Sequence, residues 1–190
     1  MFDSFREKES SHPNSILELG SVYQRDRIEA VAEFCCQEMS GDLIEIGCYA
    51  GGTSTRLAKV ARKYNRKLIC IDNWRDGTDY DLPGIKKIFQ KDMKEFSDVT
   101  IIVEGDAHDE AVIRLIKEFT YCFAFSDDGH SYQEHLCELT CLLPITNGLV
   151  FVDDIYLPKV RKAIADSITI NPGWVELYCP EFRESWLFKS

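Results

Sequence analysis

The sequence predicts a doubly wound α/β fold, in which helices cover both faces of a mostly parallel sheet of about seven strands. Two observations predict it. Five apolar, strand-like runs follow one another along the chain, at 42–47, 67–72, 99–105, 121–127 and 148–154. Helical patterns separate these runs, and parallel neighbours need such crossover helices because each strand must start again from the same edge. Several runs are rich in Ile and Val, as expected for strands buried on both faces.

The segment before the first strand divides into a tail and a helix. Residues 1–14 are polar and aperiodic, so we expect a flexible N-terminal tail, followed by a single domain over 15–190. Ile28, Val31 and Cys35 then recur at helical spacing. This spacing predicts an amphipathic helix ahead of the sheet.

The segments between the strands repeat their apolar residues every three or four positions, as on the buried face of a helix. The residues with this spacing are Leu57, Ala58 and Ala61; those within 84–97; Val112, Leu115, Ile116 and Phe119; Leu136, Leu139 and Leu143; and Val160, Ala163 and Ile164. Two short apolar runs in 174–190 predict a terminal hairpin. The connection 73–84, rich in Gly, Pro and Asp, is long enough to predict a functional loop.

The composition excludes several function classes. The chain has 190 residues and a formal net charge of -10, which repels nucleic acid and anionic membranes. No apolar run approaches the roughly 20 residues of a membrane span, and the first residues lack the apolar core of a signal peptide, so we expect a cytoplasmic protein. The eight cysteines lie mostly in apolar segments, which favours free buried thiols over disulfides or a zinc site.

Acidic residues mark the strand ends, which is where an open parallel sheet binds its ligands. These acids are Glu45, Asp72, Asp106, Asp127, Asp153 and Asp154. The first turn reads E-I-G-C-Y-A-G-G-T-S, in which Gly47 permits a tight exit from the strand and Gly51 lets a ligand approach the backbone. A dinucleotide site usually shows G-x-G-x-x-G, and Glu45 suits a cationic sulfonium better than a pyrophosphate.

The motifs E-I-G-x-x-x-G-G-x-S, I-D-N-W and G-D-A resemble the cofactor motifs of class I S-adenosylmethionine-dependent methyltransferases, over nearly the whole chain. That resemblance implies a Rossmann-like sheet whose last strand is antiparallel. It also implies three groups of cofactor contacts. The methionine end would be held by Glu45, Gly47 and Ser54, the ribose by Asp72, and the adenine by Asp106 with Ala107. Further residues expected to bind the cofactor are Gly51, Asn73 and Asp127.

The segment F-S-D-D-G-H-S-Y, followed by G-L-V-F-V-D-D, resembles the signature of macrocin-type sugar O-methyltransferases, which are related to catechol O-methyltransferase. In that subgroup these acids bind a divalent cation, which implies a magnesium site at Asp127, Asp153 and Asp154. This sequence has S-D-D-G-H where I-D-G-D-H is usual, so either Asp127 or Asp128 faces the metal.

Methylation of a hydroxyl group explains the need for metal-binding carboxylates and a general base. A hydroxyl is a poor nucleophile at neutral pH, and a hard cation bound by carboxylates can coordinate it and lower its pKa. His130 lies three residues after Asp127 and is the predicted general base, because imidazole titrates in the useful range. His108 and His135 are assigned structural or surface positions.

The leading hypothesis is therefore an O-methyltransferase that uses S-adenosylmethionine and Mg²⁺ and acts on a hydroxyl of a small molecule, such as a sugar or natural-product scaffold. A metal-independent methyltransferase acting on N or S is one alternative. A cofactor-binding module without catalytic activity is another, and a nicotinamide-dependent oxidoreductase a third. The segments left for an acceptor lid are short, which suggests that a second subunit of a homo-oligomer completes the site.

Overall fold

The computed structural model of the protein describes residues 22–74, 84–129 and 131–190. The predicted tail 1–14, most of the connection 73–84 and the predicted base His130 lie outside the described residues. Helices and strands alternate in the predicted order. Their bounds are α1 Val22–Glu38, β1 Asp42–Ile46, α2 Gly52–Lys63, β2 Leu68–Asp72, α3 Ile85–Met93, β3 Thr100–Glu104, α4 Glu110–Ile116, β4 Tyr121–Ser126, α5 Tyr132–Ile145, β5 Thr146–Val152, α6 Pro158–Ile170, β6 Trp174–Cys179 and β7 Glu184–Lys189.

The seven strands form one sheet in the order β3-β2-β1-β4-β5-β7-β6. Neighbours among β1 to β5 pair in parallel, whereas β7 runs antiparallel to both β5 and β6. This confirms the predicted fold, including the antiparallel last strand. The order of the strands reverses between β1 and β4, so a crevice forms outside the carboxyl ends of these two strands.

The sheet is buried between two layers of helices. Alternate side chains of the strands point into one of two apolar clusters: Leu43 packs with residues of α1, α2 and α3, and Ile44 packs with residues of α4, α5 and α6. Both faces of β1, β2 and β4 are therefore apolar, which is why their sequences do not alternate with polar residues. Among the described residues, no helix is both long and apolar enough to cross a bilayer. All eight cysteines are free, as predicted.

The start of β7 is tied to α1 by a buried ion pair. Glu184 is 1% exposed and accepts two hydrogen bonds from Arg27, from Nε at 3.0 Å and from Nη2 at 2.9 Å. Trp186 Nε1 also donates to the Glu184 carboxylate, at 3.3 Å. A bidentate arginine is the strongest partner available to such a carboxylate. The pair therefore fixes α1 against the antiparallel end of the sheet.

Removing the arginine should destabilise the fold, because it leaves the Glu184 carboxylate buried without its cation. We expect Arg27→Ala to lower the free energy of unfolding by about 2 kcal/mol, less than for a fully buried pair because Arg27 is 31% exposed. Arg62→Ala, which breaks the exposed pair with Asp98, should cost clearly less stability, because solvent screens an exposed ion pair. Urea denaturation measures the free energy of unfolding of both variants. Equal losses would contradict the greater contribution given to the buried Arg27–Glu184 pair.

Candidate active site

The first turn of the chain lies against the exit of β4. Gly47 follows β1 with a φ of +88°, and its N–H donates to the carbonyl oxygen of Ile71 at 2.9 Å. A Cβ at this position would lie 2.5 Å from the carbonyl oxygen of Asp127 and 2.8 Å from the nitrogen of Asp128. The backbones of the two neighbouring exits thus run in contact. Glycine is required here both for its conformation and for this close approach.

Asp72, at the end of β2, holds the first turn in place. Its Oδ2 accepts a hydrogen bond from the Tyr49 N–H at 2.7 Å, and its Oδ1 accepts one from the Trp74 N–H at 2.6 Å. The Trp74 indole N–H donates to the Tyr49 carbonyl oxygen at 2.9 Å, which closes the arrangement. Each carboxylate oxygen retains a second lone pair that could accept from a ribose hydroxyl. Burial raises the pKa of Asp72, while these backbone hydrogen bonds oppose the rise.

Glu45 and Ser54 lie buried beside the first turn. Glu45 is 1% exposed and Ser54 0%. Within the described part of the chain Glu45 Oε2 and Ser54 Oγ have no partner in full hydrogen-bond geometry, although the Ser54 hydroxyl lies close enough to the Glu45 carboxyl group to lower its pKa. Burial raises the pKa of Glu45 to about 8. A buried carboxylate oxygen without a partner is costly, and an amino group of a ligand would satisfy it. The residues predicted to hold the methionine end of the cofactor therefore fit such a group.

Arg25 of α1 also reaches the first turn, although the sequence analysis assigned it no role. A Cβ on Gly52 would lie 3.0 Å from the Arg25 guanidinium carbon, and the arginine's charge acts on Glu45 and lowers its pKa. The signal in the sequence is weak, because Arg25 stands on a helix whose packing partners are distant in the chain. The arginine adds a cation suited to a carboxylate ligand beside the glycine-rich turn.

One group of potential metal ligands converges closely, and it is not the predicted one. Among the described residues, only Glu45, Cys48 and Cys70 bring three ligand atoms within 4.8 Å of one another. Thiols are soft ligands and do not suit Mg²⁺. The Cys48 thiol instead contacts the Glu45 carbonyl oxygen at 3.7 Å and the Ile71 carbonyl oxygen at 3.5 Å, and burial raises its pKa.

The predicted metal ligands Asp127, Asp153 and Asp154 are neighbours at the ends of β4 and β5. The Asp153 N–H donates to the Ser126 carbonyl oxygen at 3.3 Å, and the Asp154 N–H donates to Asp153 Oδ1 at 2.8 Å. Asp154 has a φ of +55°, an unusual backbone conformation for a residue other than glycine. Their three carboxylates do not meet as closely as the group at Glu45.

These carboxylates repel one another. Burial raises the pKa of Asp127 well above its ordinary range, and the charges of Asp153 and Asp154 raise it further. Burial also raises the pKa of Asp153 to about 6. A divalent cation would relieve this repulsion, and carboxylate oxygens are the hard ligands that such a cation prefers. The donor set therefore fits the metal implied by the sequence.

Asp127 and Asp128 face different groups. Asp153 and Asp154 are the leading charges that act on Asp127, whereas the leading ones on Asp128 come from Glu138 and Asp72. Burial, followed by these charges, raises the pKa of Asp128 to about 7. Asp127 is thus coupled most strongly to the acids after β5, although Glu45 and Glu138 also act on it, and Asp128 is coupled most strongly to Glu138 and Asp72.

The comparisons with known proteins concern the family and the fold. A family model described as a methyltransferase domain matches residues 44–155. Among curated proteins none matches the sequence. Solved structures do match in fold.

Three of these structures are methyltransferases by their descriptions. The TDP-rhamnose 3'-O-methyltransferase of calicheamicin biosynthesis has a TM-score of 0.66 and 16% identity, over 98% of this chain and 91% of its own. A methyltransferase from Podospora anserina, bound to SAH, has a TM-score of 0.69 and 15% identity, over 100% and 87%. A putative caffeoyl-CoA O-methyltransferase from Staphylococcus aureus has a TM-score of 0.70 and 14% identity, over 100% and 90%. At such identities the likeness is one of fold.

Proposed function

This chain belongs to the family defined by that methyltransferase domain and is a class I S-adenosylmethionine-dependent methyltransferase, and on that premise we propose that it methylates a hydroxyl group of a small molecule with the help of a divalent cation. The observation that supports the proposal is the division of the strand-end acids at the reversal of strand order. Glu45 and Asp72 surround the first turn, whereas Asp127 and Asp153 lie together beyond β4 and β5.

The first set of acids suits the cofactor. Its methionine end would be held by Glu45, Gly47, Gly51 and Ser54. The ribose would lie at Asp72 and Asn73, and the adenine at Asp106 and Ala107. S-adenosylmethionine supplies an electrophilic methyl group on a cationic sulfonium. Once ionised, Glu45 and Asp127 would favour that cation over the neutral product and would disfavour an anionic pyrophosphate. Burial raises the pKa of both groups, and a bound cation would lower these pKa values again by stabilising the ionised form.

The second set of acids suits the acceptor. Asp127, Asp153 and Asp154 would hold Mg²⁺, which lowers the pKa of a coordinated hydroxyl and orients it. The backbone of Asp127 is anchored to β1, since its N–H donates to the Ile46 carbonyl oxygen at 2.9 Å. His130, predicted from the sequence, would accept the hydroxyl proton. The resemblance in fold to a sugar 3'-O-methyltransferase supports a sugar or a similar polyhydroxylated scaffold as the acceptor.

One observation favours a second candidate function. The carboxylate oxygens of Asp127, Asp153 and Asp154 do not form a group as tight as the one at Glu45, which is the arrangement expected of a methyltransferase of this fold that needs no metal. Such an enzyme would transfer the methyl group to a nitrogen or sulfur, which needs less activation than a hydroxyl. The dependence of activity on Mg²⁺ separates the two candidates.

The test is a binding and activity assay on the purified protein. Calorimetry should show binding of S-adenosylmethionine and none of NAD, and a panel of sugar and phenolic hydroxyl acceptors should be methylated only with Mg²⁺ present. Removal of the metal with EDTA should abolish the activity, and added Mg²⁺ should restore it. Cofactor binding with methylation that EDTA does not change would reject the metal-dependent proposal in favour of the second candidate. Cofactor binding with no turnover on any acceptor would indicate a non-catalytic module.

Asp72→Asn should weaken cofactor binding by at least roughly tenfold, the effect of losing a charged acceptor. The asparagine offers one acceptor oxygen where Tyr49 and Trp74 present two N–H donors, so its amide NH₂ must face one of them. Calorimetric titration with S-adenosylhomocysteine measures the loss. Asp92→Asn, at an exposed position on α3, is the matched control. Equal affinities of the two variants would contradict the role given to Asp72.

A further inference from the structure

A chain of polar contacts lies behind the predicted adenine residues and links β3, α5 and β4. Asp106 Oδ1 accepts a hydrogen bond from the His108 backbone N–H at 3.0 Å and lies 2.6 Å from the ring nitrogen Nδ1 of the same histidine. The other ring nitrogen, Nε2, lies 3.3 Å from Glu138 Oε1, which is an ion-pair distance outside hydrogen-bond geometry among the described residues. Glu138 Oε2 accepts a hydrogen bond from the Ser126 hydroxyl at 2.5 Å. The contacts thus run from Asp106 through His108 and Glu138 to Ser126.

Glu138 is an unusual member of this chain because its side chain is 0% exposed, near the first turns of α5. A buried carboxylate costs several kcal/mol unless a cation and hydrogen bonds compensate it. His108 provides the cation: the Glu138 carboxylate is the main cause that raises the pKa of His108 to about 9, with Asp106 adding to it. At neutral pH the imidazolium therefore bridges two carboxylates.

The surroundings leave space for this bridge. A Cβ on Gly129 would lie 2.9 Å from Glu138 Oε1 and 2.6 Å from the Cβ of Glu134, so the glycine allows the carboxylate to approach the segment after β4. Ser126, at the other end of the chain of contacts, directly precedes Asp127. The buried Glu138 is thereby fixed between the two halves of the candidate active site.

We propose that His108 is a positioning residue for adenine recognition: held by Glu138, it orients the carboxyl group of Asp106 to accept a hydrogen bond from the adenine amino group. This inference rests on the proposed function, which assigns Asp106 to the adenine. An Asp that only shaped the turn before α4 would be satisfied by the His108 backbone N–H. The imidazolium and the buried carboxylate behind it are needed only where the carboxyl group of Asp106 must keep one orientation.

The experiment compares two ligands that differ at one position. S-adenosylhomocysteine carries the adenine amino group, and S-inosylhomocysteine carries a carbonyl oxygen there, which repels a carboxylate. The wild-type protein should bind the adenine ligand at least roughly tenfold more tightly, as expected for one hydrogen bond to a charged group. His108→Phe should reduce this ratio of affinities by roughly tenfold. A loss of stability alone would leave the ratio unchanged.

Two further variants keep the test decisive if His108→Phe does not fold. His108→Asn places an amide donor near the position of Nδ1 but cannot reach Glu138, so it should recover part of the ratio. Glu138→Gln keeps a partner for Ser126 but removes the charge, so it should lower the ratio without abolishing binding. Asp72→Asn, which acts at the ribose, should weaken both ligands equally.

Each outcome bears on one claim. An unchanged ratio in the three variants at His108 and Glu138, or a wild-type protein that binds both ligands equally, would overturn the role of His108 and leave the methyltransferase assignment intact. A wild-type protein that binds neither ligand would instead reject the proposed cofactor site. The ratio in the wild-type protein therefore separates a failure of the inference from a failure of the proposed function.

Discussion

Gly47→Ala is expected to lower the free energy of unfolding by about 3 to 5 kcal/mol and to abolish cofactor binding. The alanine would have to keep a φ of +88°, which its Cβ disfavours. The same Cβ would lie 2.5 Å from the Asp127 carbonyl oxygen and 2.6 Å from its carbonyl carbon. These are backbone atoms of the neighbouring strand exit and cannot rotate away. Relief of the collision must separate the first turn from β4, and that separation disrupts both predicted sites.

The matched control is Gly84→Ala. Gly84 has nearly the same backbone conformation, with a φ of +90°, but a Cβ there meets no atom of the residues that the structure describes within 4 Å. This variant should lose only the conformational term, about 1 kcal/mol. Urea denaturation gives the two stabilities, and calorimetry with S-adenosylhomocysteine gives the two affinities. If Gly47→Ala were no less stable than Gly84→Ala and bound the cofactor normally, the close approach of the two strand exits would not be a feature of the protein.

Gly47 shows how far the sequence could predict the site. A glycine directly after an apolar run predicts a tight exit from a strand, and that prediction needs only local information. Contact with Asp127 depends on β4 being the neighbour of β1, whereas β2 and β3 come between them in the chain. Single-sequence patterns predict which segments are strands, but they do not give the order of those strands.

His108 and Glu138 are a second case in which contacts between distant segments cannot be predicted from the sequence. From its sequence context His108 is expected at a structural or surface position, because a lone histidine after a strand indicates no particular function. Its partner Glu138 lies on α5 and reads as an ordinary helical acid. Only the packing of α5 against the end of β4 reveals that this carboxylate is buried. Predictions from strand ends therefore select acids at the edge of the sheet, and they do not reveal the side chains that pack behind those acids.

The acids after β4 and β5 were easier to predict as neighbours, because these strands are consecutive in the chain and adjacent in the sheet. Their orientation was not predictable. The left-handed backbone of Asp154 is not encoded by its residue type, and the sequence left the choice between Asp127 and Asp128 open. The charges that act on the two residues differ, which is the basis for proposing Asp127 as the metal ligand.

Asp127→Asn is accordingly expected to lower Mg²⁺-dependent methylation by at least about 100-fold, whereas Asp128→Asn should retain the stimulation by Mg²⁺. The two substitutions are chemically identical and one residue apart, so general effects on the segment are matched. Asp127 lies where the charges of Asp153 and Asp154 act, so its carboxylate completes the acidic group that would attract the cation. Asp128 is influenced chiefly by Glu138 and Asp72, so its loss should act on the cofactor.

The measurement is the methylation rate as a function of Mg²⁺ concentration, with Mn²⁺ binding by the cofactor-loaded protein as a second readout that does not depend on turnover. Asp153→Asn should behave as Asp127→Asn in both, because the same cation would lose one of its carboxylates. If Asp128→Asn rather than Asp127→Asn abolished Mn²⁺ binding, the metal would lie on the cofactor side of the segment after β4. If all three variants kept both properties, the repulsion among these carboxylates would have no connection to a metal. The enzyme would then have to activate its acceptor through protein groups alone, which points back to a nitrogen or sulfur nucleophile.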